Sequence, residues 1–172
     1  MVNKSESGTI VLKRLFADKT TVFGIAILLV LVVLAIFAPI LSKYPYIKIN
    51  PAQAFQGPSW EHPFGTDELG RDILSRIMYG GRYSLSVGIF SMVFSVFFGM
   101  LLGSIAGYFG GLLDNIIMRI MDILQSFPQL LLAIVIAAVL GPGLDKSIIA
   151  LGVSGIPVFS RLIRASILSI RG

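Results

Sequence analysis

Apolar residues in this chain fall into long uninterrupted runs, and polar residues gather between them. Val22 to Leu41 carries no charge, and roughly 20 such residues cross about 30 Å of hydrocarbon as a helix. Pro39 falls in its last turn, where a helix tolerates it. A second charge-free stretch between Arg82 and Asp114 predicts a helix over about 84–109. A third, between Asp122 and Asp145, predicts one over 123–141, with Pro128 in its first turns and Gly141-Pro142-Gly143 as its stop. From Ser147 to Ser160 the run is short. It predicts a span over about 147–170 if the helix continues past Arg161 and Arg164, whose long side chains reach an interface.

The fold class expected is therefore all-α, a polytopic helical membrane protein with about four transmembrane helices. Its parts are a tail over 1–21, a first span over 22–41, a loop over 42–83 and the remaining spans within 84–172. The loop begins irregularly, with Pro45, Asn50, Pro51 and Pro58. It then reads as an amphipathic helix over 66–79, with Thr66 as N-cap, Asp67 and Glu68 in the first turn, and Gly80-Gly81 as its end.

Composition supports a membrane setting. The chain is 55% hydrophobic and 13% charged, against about 25% charged in soluble domains. The net charge of +5 comes from basic residues at the ends of apolar runs, as at a membrane surface, and does not point to nucleic acid. Basic residues near span ends number eight on one side and six on the other when the N-terminus is placed inside. With Lys4, Lys13, Arg14 and Lys19 in the tail, this favours a cytoplasmic N-terminus. Val22–Leu41 is too long for a signal h-region and reads as a retained span. There is no cysteine and a single histidine, His62, so neither a disulfide nor a histidine cluster is available. No phosphate-binding loop and no catalytic constellation is present; neither cofactor nor metal is expected, and any nucleotide would belong to another chain.

The polar string contains Asp67 four residues before Arg71, Asp72 four before Arg76, and Glu68 three before Arg71. These spacings put opposite charges on one helical face. The same spacing suits an ordinary interfacial helix with surface ion pairs of about 0.3–0.5 kcal/mol each. Ser95, Gly99, Gly103 and Gly107 set a small residue at every fourth position of the second span, a groove for close helix packing. Gly110-Gly111 breaks that helix. Asp114, Arg119 and Asp122 mark an amphipathic connection in which Arg119 and Asp122, three apart, are placed to pair. Gln125 and Gln129, four apart, suit either a polar pathway or hydrogen bonds to a neighbouring helix.

Phe64-Gly-Thr-Asp-Glu-Leu-Gly-Arg-Asp-Ile-Leu-Ser-Arg, followed by Tyr79-Gly-Gly-Arg-Tyr-Ser-Leu-Ser-Val-Gly, resembles the C-type permease subunits of bacterial dipeptide, oligopeptide and nickel ABC importers. Gly107-Tyr-Phe-Gly-Gly-Leu-Leu-Asp, Arg119-Ile-Met-Asp-Ile-Leu-Gln-Ser-Phe-Pro and Ser160-Arg-Leu-Ile-Arg are similar to the same family. The resemblance implies a type I importer permease in the bacterial inner membrane with its N-terminus inside. It implies as partners membrane lipid, a second permease, two cytoplasmic ATPases and an external binding protein that delivers the peptide. Gly65, Thr66, Asp67, Gly70, Arg71, Asp72, Arg76 and Arg82 would form the family's external motif. Gly110, Gly111, Asp114, Arg119 and Asp122 would face the ATPase. The family also has six spans and a cytoplasmic Glu-Ala-Ala…Gly loop, expected just past Gly172, so the 172-residue chain is expected to be a fragment or truncation that does not couple to ATP by itself. Two other readings stay open at this point: a membrane remnant that packs with permeases without transporting, and a small independent channel or secondary transporter.

Overall fold

The computed structural model describes residues 18–171. The basic residues expected in the tail at positions 4, 13 and 14, and the chain end at 172, lie outside the described residues. Six α-helices account for most of the rest: α1 Lys19–Ile36, α2 Ala38–Leu41, α3 Ile73–Phe109, α4 Gly111–Gln125, α5 Gln129–Leu140 and α6 Leu144–Arg171. A single 3-10 turn, Pro51–Gln53, lies in the loop. Thr66 and Asp72 form an isolated β-bridge. The chain divides into two compact units, Met1–Tyr83 and Ser84–Gly172, with the boundary inside α3.

In the first unit, Asp18 caps α1 by accepting from Thr20 N–H and the Thr21 hydroxyl. The first run is not one helix to Leu41. It stops at Ile36, and Phe37 departs from helical geometry before the short α2. Pro39 is the cause: it has no N–H for the helix ladder, and its ring crowds the carbonyl one turn back. Ala35 and Ala38 are buried, and a Cβ added at Gly81 would lie 3.6 Å from Ala35 Cβ. Small residues thus let α1 approach α3.

The expected helix over 66–79 is replaced by a folded loop and a later helix. Residues 67–71 form a tight turn in which Gly70 takes φ +69, a conformation glycine adopts without penalty. The Asp67 carboxylate accepts the N–H groups of Leu69 and Arg71, both at 2.9 Å. Such local bonding competes with a helix. Helix α3 begins at Ile73 and runs 37 residues, straight through Gly80-Gly81. Each interior glycine costs about 0.5–1 kcal/mol, which does not outweigh continuation into a long apolar run. At about 1.5 Å per residue α3 is roughly 55 Å long, more than a hydrocarbon core requires.

In the second unit, Gly110 (φ +65, ψ −159) separates α3 from α4. The expected span over 123–141 is instead two helices, α4 and α5, bent by 90°. Pro128 disfavours helical geometry at Phe127, and the Ser126 hydroxyl donates to the Ile123 carbonyl at 2.7 Å, closing the end of α4. Gly141 and Gly143, both at positive φ, turn the chain into α6. Helix α6 packs against α4 and α5 and buries Pro157 in its interior. Among the described residues, three helices are long and apolar enough to cross a membrane, or four spans are present if α4 and α5 together make one broken span.

Candidate functional site

The polar string folds into a knot at the start of α3. Asp67 is its hub. Its carboxylate takes the Arg71 Nε at 2.8 Å, the Arg76 guanidinium, and the two backbone N–H groups already described. Partial burial pushes the Asp67 carboxyl up, but the Arg71 N–H, the Arg71 side chain and the Leu69 N–H outweigh it and bring the pKa to about 2. Arg76, expected four residues beyond Asp72, therefore pairs with Asp67 instead. The reason is geometric: the turn at Gly70 carries Asp67 back beside the first turn of α3.

Asp72 is buried and serves as the N-cap of α3. Its Oδ2 accepts the Ser75 N–H at 2.8 Å and the Ser75 hydroxyl at 2.7 Å, while Oδ1 lies 2.9 Å from His62 Nδ1. Burial raises the Asp72 carboxyl, and the Ser75 and His62 bonds more than offset it, holding it below the ordinary carboxylate range. His62 lies against Tyr44 in a tilted pair, ring centres 4.7 Å apart. Thr66 donates its hydroxyl to the Gln53 carbonyl and accepts the Gln56 N–H at 2.9 Å. Gly65, at φ +75, and Gly70 sit where a Cβ would overlap the carbonyl oxygens of Gln56 and Asn50 respectively. Tyr46 stacks on Tyr79 and shares a hydrogen bond with Tyr83 at 2.9 Å, fastening the loop to one face of α3. Arg82 is exposed on α3.

Sequence reasoning passed over His62 and Ser75. A lone histidine gives no cluster signal, and ten residues separate it from Asp72, so no helical or strand spacing connects the two.

In the second unit, Ser95, Gly99, Gly103 and Gly107 lie along α6. A Cβ on Gly99 would come within 2.5 Å of Phe159 Cβ, one on Gly103 would overlap the Ser160 carbonyl, and one on Gly107 would lie 3.0 Å from Ile167 Cβ. The Ser95 hydroxyl reaches the Gly152 carbonyl at 2.7 Å. The complementary glycines are on α6: a Cβ on Gly155 would meet Ser95 Oγ at 2.5 Å, and one on Gly152 the Phe94 ring at 2.6 Å.

Helix α4 joins α6 through charge. Arg164 holds Asp114 in a two-point fork, Nε to Oδ1 at 2.5 Å and Nη2 to Oδ2 at 2.6 Å. Arg161 pairs with Asp122. The expected pairing of Asp122 with Arg119 is thus replaced by one across helices, because the packing of α6 on α4 brings the Arg161 guanidinium to the same carboxylate. Gly110 and Gly111 form the α3–α4 joint, and Gln125 and Gln129 flank the α4–α5 bend with exposed side chains. No group of three or more metal-ligating side chains occurs among the described residues.

Comparison with known proteins agrees with this architecture. Residues 8–58 match the model of the N-terminal transmembrane domain of oligopeptide transport permease C, and residues 99–172 match that of the binding-protein-dependent transport system inner membrane component. The chain is 46% identical over 159 residues to the dipeptide transport system permease protein DppC of Alkalihalophilus pseudofirmus, covering 92% of this chain and 52% of that one. It is 40% identical over 159 residues to the DppC of Bacillus subtilis (92% and 50%) and 39% identical over 158 residues to the oligopeptide permease OppC of the same organism (92% and 52%). The chain spans about half the length of the curated relatives it matches. With its all-helical, multi-pass architecture of the type I importer permease fold, the chain is similar along most of its length to the permease C subunits of dipeptide and oligopeptide transport systems.

Proposed function

We propose that this chain is part of a permease subunit that lines half of the pathway of an ATP-driven peptide importer. The 46% identity to a dipeptide permease, extending over 92% of the chain, carries this reading. On it, a second permease completes the pathway, two cytoplasmic ATPases drive it, and an external binding protein delivers the peptide. The chain itself performs no hydrolysis. The N-terminus lies in the cytoplasm of a bacterial inner membrane, which puts the knot around Asp67 and Asp72 on the outer side, next to the binding protein. Gly110, Gly111, Asp114, Arg119 and Asp122 lie on the inner side, near the ATPase. Gln125 and Gln129, polar and exposed at the bend between the amphipathic α4 and the apolar α5, are candidates for the pathway wall. The tight knot and the paired α4–α6 charges suit these two ends, since each is a polar structure at the limit of an apolar helix.

Because the chain has no cysteine, orientation is testable with single-cysteine variants. Gln56→Cys should react with a membrane-impermeant maleimide in intact cells, and Asn115→Cys only after permeabilisation; the reverse pattern overturns the orientation. Transport is tested in a strain unable to take up dipeptides, with the whole gene expressed beside its partner genes. Growth on a dipeptide should require this subunit and the binding protein. Uptake that persists without the subunit would refute the role.

A further inference from the structure

Helix α4 has three unlike sides. On one, Met121 is buried and Asp114 joins α6 through Arg164. On the second, Asn115, Arg119 and Asp122 form an exposed polar strip. On the third stand Leu113, Ile116, Ile120 and Ile123, spaced three, four and three residues apart and so aligned on one face. These four side chains are 48–57% exposed. The bend of 90° between α4 and α5 means that only one of the two can run along α6. Helix α5 is that one: a Cβ on Gly155 would lie 3.8 Å from Gln129 Nε2 at the start of α5, and one on Gly141, just past its end, 3.8 Å from Lys146 Nζ. Helix α4 crosses instead. Its Asp114 and Asp122 are about 12 Å apart along their helix, yet they meet Arg164 and Arg161, which are about 4.5 Å apart along theirs. The crossing falls at the arginines that close the charge-free run of α6, the level at which a span leaves hydrocarbon.

We propose that α4 lies in the plane of the membrane surface and that phospholipid acyl chains cover its stripe of Leu113, Ile116, Ile120 and Ile123. Laid flat, the helix puts each side in a suitable medium. The buried side meets α6, the polar strip meets water, and the apolar stripe meets lipid. Standing upright, it would carry the polar strip through hydrocarbon, where an unpaired arginine is costly. Arg119 is such a residue, since its side chain makes no ion pair or hydrogen bond among the described residues. It stands at the border of the polar strip and the apolar stripe, where a flat helix holds it at the depth of the lipid phosphates. A protein partner on the stripe would have to bring an anion to that border; a phospholipid brings one with every headgroup. The inference rests on the membrane architecture alone and holds whatever the cargo is and whichever face is cytoplasmic.

Spin labels on single cysteines read this directly. The whole permease, assembled with its partner subunits in cysteine-free form, is reconstituted into vesicles of phosphatidylethanolamine and phosphatidylglycerol. One nitroxide at a time is attached at Leu113→Cys, Ile116→Cys, Ile120→Cys or Ile123→Cys, with Asn115→Cys as the water-facing control. Collision rates with oxygen, which concentrates in lipid, and with a polar nickel chelate, which stays in water, give environment and depth. All four stripe positions should collide with oxygen and not with nickel, at depths that agree within about one helical pitch of 5.4 Å. Asn115→Cys should show the reverse preference. Three results overturn the proposal. Low collision with both reagents along the stripe means that protein covers it, and collision with nickel means that water does. Depths that change by about 15 Å from position 113 to position 123 mean that α4 stands upright. None of these readouts measures uptake, so failure here is distinct from failure of the transport reading.

Discussion

Replacing Gly70 by alanine is expected to open the loop of the first unit. Gly70 holds φ +69, and a residue with a Cβ loses about 1–2 kcal/mol in that conformation. The new methyl group would also overlap the Asn50 carbonyl oxygen. That carbonyl accepts the Gln53 N–H at 2.9 Å, and the Asn50 N–H donates to the Leu69 carbonyl at 2.9 Å. The Asn50 peptide groups are therefore held from both sides and cannot retreat without breaking a bond. Forcing extra volume into such a site costs a further 1–3 kcal/mol or so. The sum is about 2–5 kcal/mol. At 1.4 kcal/mol per factor of ten, amides that depend on the closed loop should exchange about 30-fold to several thousand-fold faster. The amides to follow are Asn50, Phe55 and Thr66, which bond the carbonyls of Leu69, Asp67 and Gln56. Hydrogen exchange of the purified protein, read by mass spectrometry, measures this, with amides of α6 as the internal control. Loop protection within about threefold of wild type would refute the reasoning, because the methyl group would then be accommodated without disturbing the register.

Gly80→Ala should have the opposite sign. Nothing lies within 4 Å of the added Cβ, so α3 gains about 0.5–1 kcal/mol and local amide exchange slows about two- to fivefold; faster exchange would mean that the helix stops there. For Asp114 and Arg164, a double-mutant cycle with Asp114→Asn and Arg164→Gln should give a coupling of about 1 kcal/mol, discounted because the pair is partly exposed. Resistance to detergent denaturation reads it, and a coupling near zero counts against the fork. Asp67 predicts an acid transition. Its folded pKa of about 2 lies below an ordinary value of about 3.9, so its contribution is complete above that ordinary value and is lost as pH falls toward 2. The amide resonances of Leu69 and Arg71, which donate to this carboxylate, should titrate with a midpoint at the folded value of about 2, and Asp67→Asn should abolish the change.

The apolar runs were readable because a span is set by length and lack of charge, which are properties of the chain alone. The junctions were not, and glycine shows why. Gly65 and Gly70 sit at positive φ against backbone carbonyls, whereas Gly80 lies in open space in the middle of a helix. All four glycines of the polar string look alike in sequence, so Gly80-Gly81 read as a stop and Gly70 as helix interior. Pro128 failed differently. A proline near a helix start is usually harmless, but here α4 precedes it, and the chain bends by 90°. Charge partners failed for a third reason. Spacing rules see only neighbours three or four apart, while Arg164 finds Asp114 and Arg161 finds Asp122 from another helix, and His62 finds Asp72 across a loop.

These long-range pairs also explain how α6 remains an uninterrupted helix through two arginines. An unpaired arginine in an apolar span costs several kcal/mol, and α6 places Arg161 and Arg164 just past its charge-free run. Each meets an aspartate on α4, and α6 packs against both halves of the bent α4–α5 element. The bend at Ser126–Pro128 frees α4 to leave the line of α5, so α4 can present Asp114 and Asp122 to α6 while α5 packs on it elsewhere. A straight helix from Gly111 to Leu140 would have to hold both contacts along one axis. The bend between α4 and α5 and the pairing of both α6 arginines are therefore linked. Removing Pro128 should disturb the arginine pairs before it disturbs the apolar contacts.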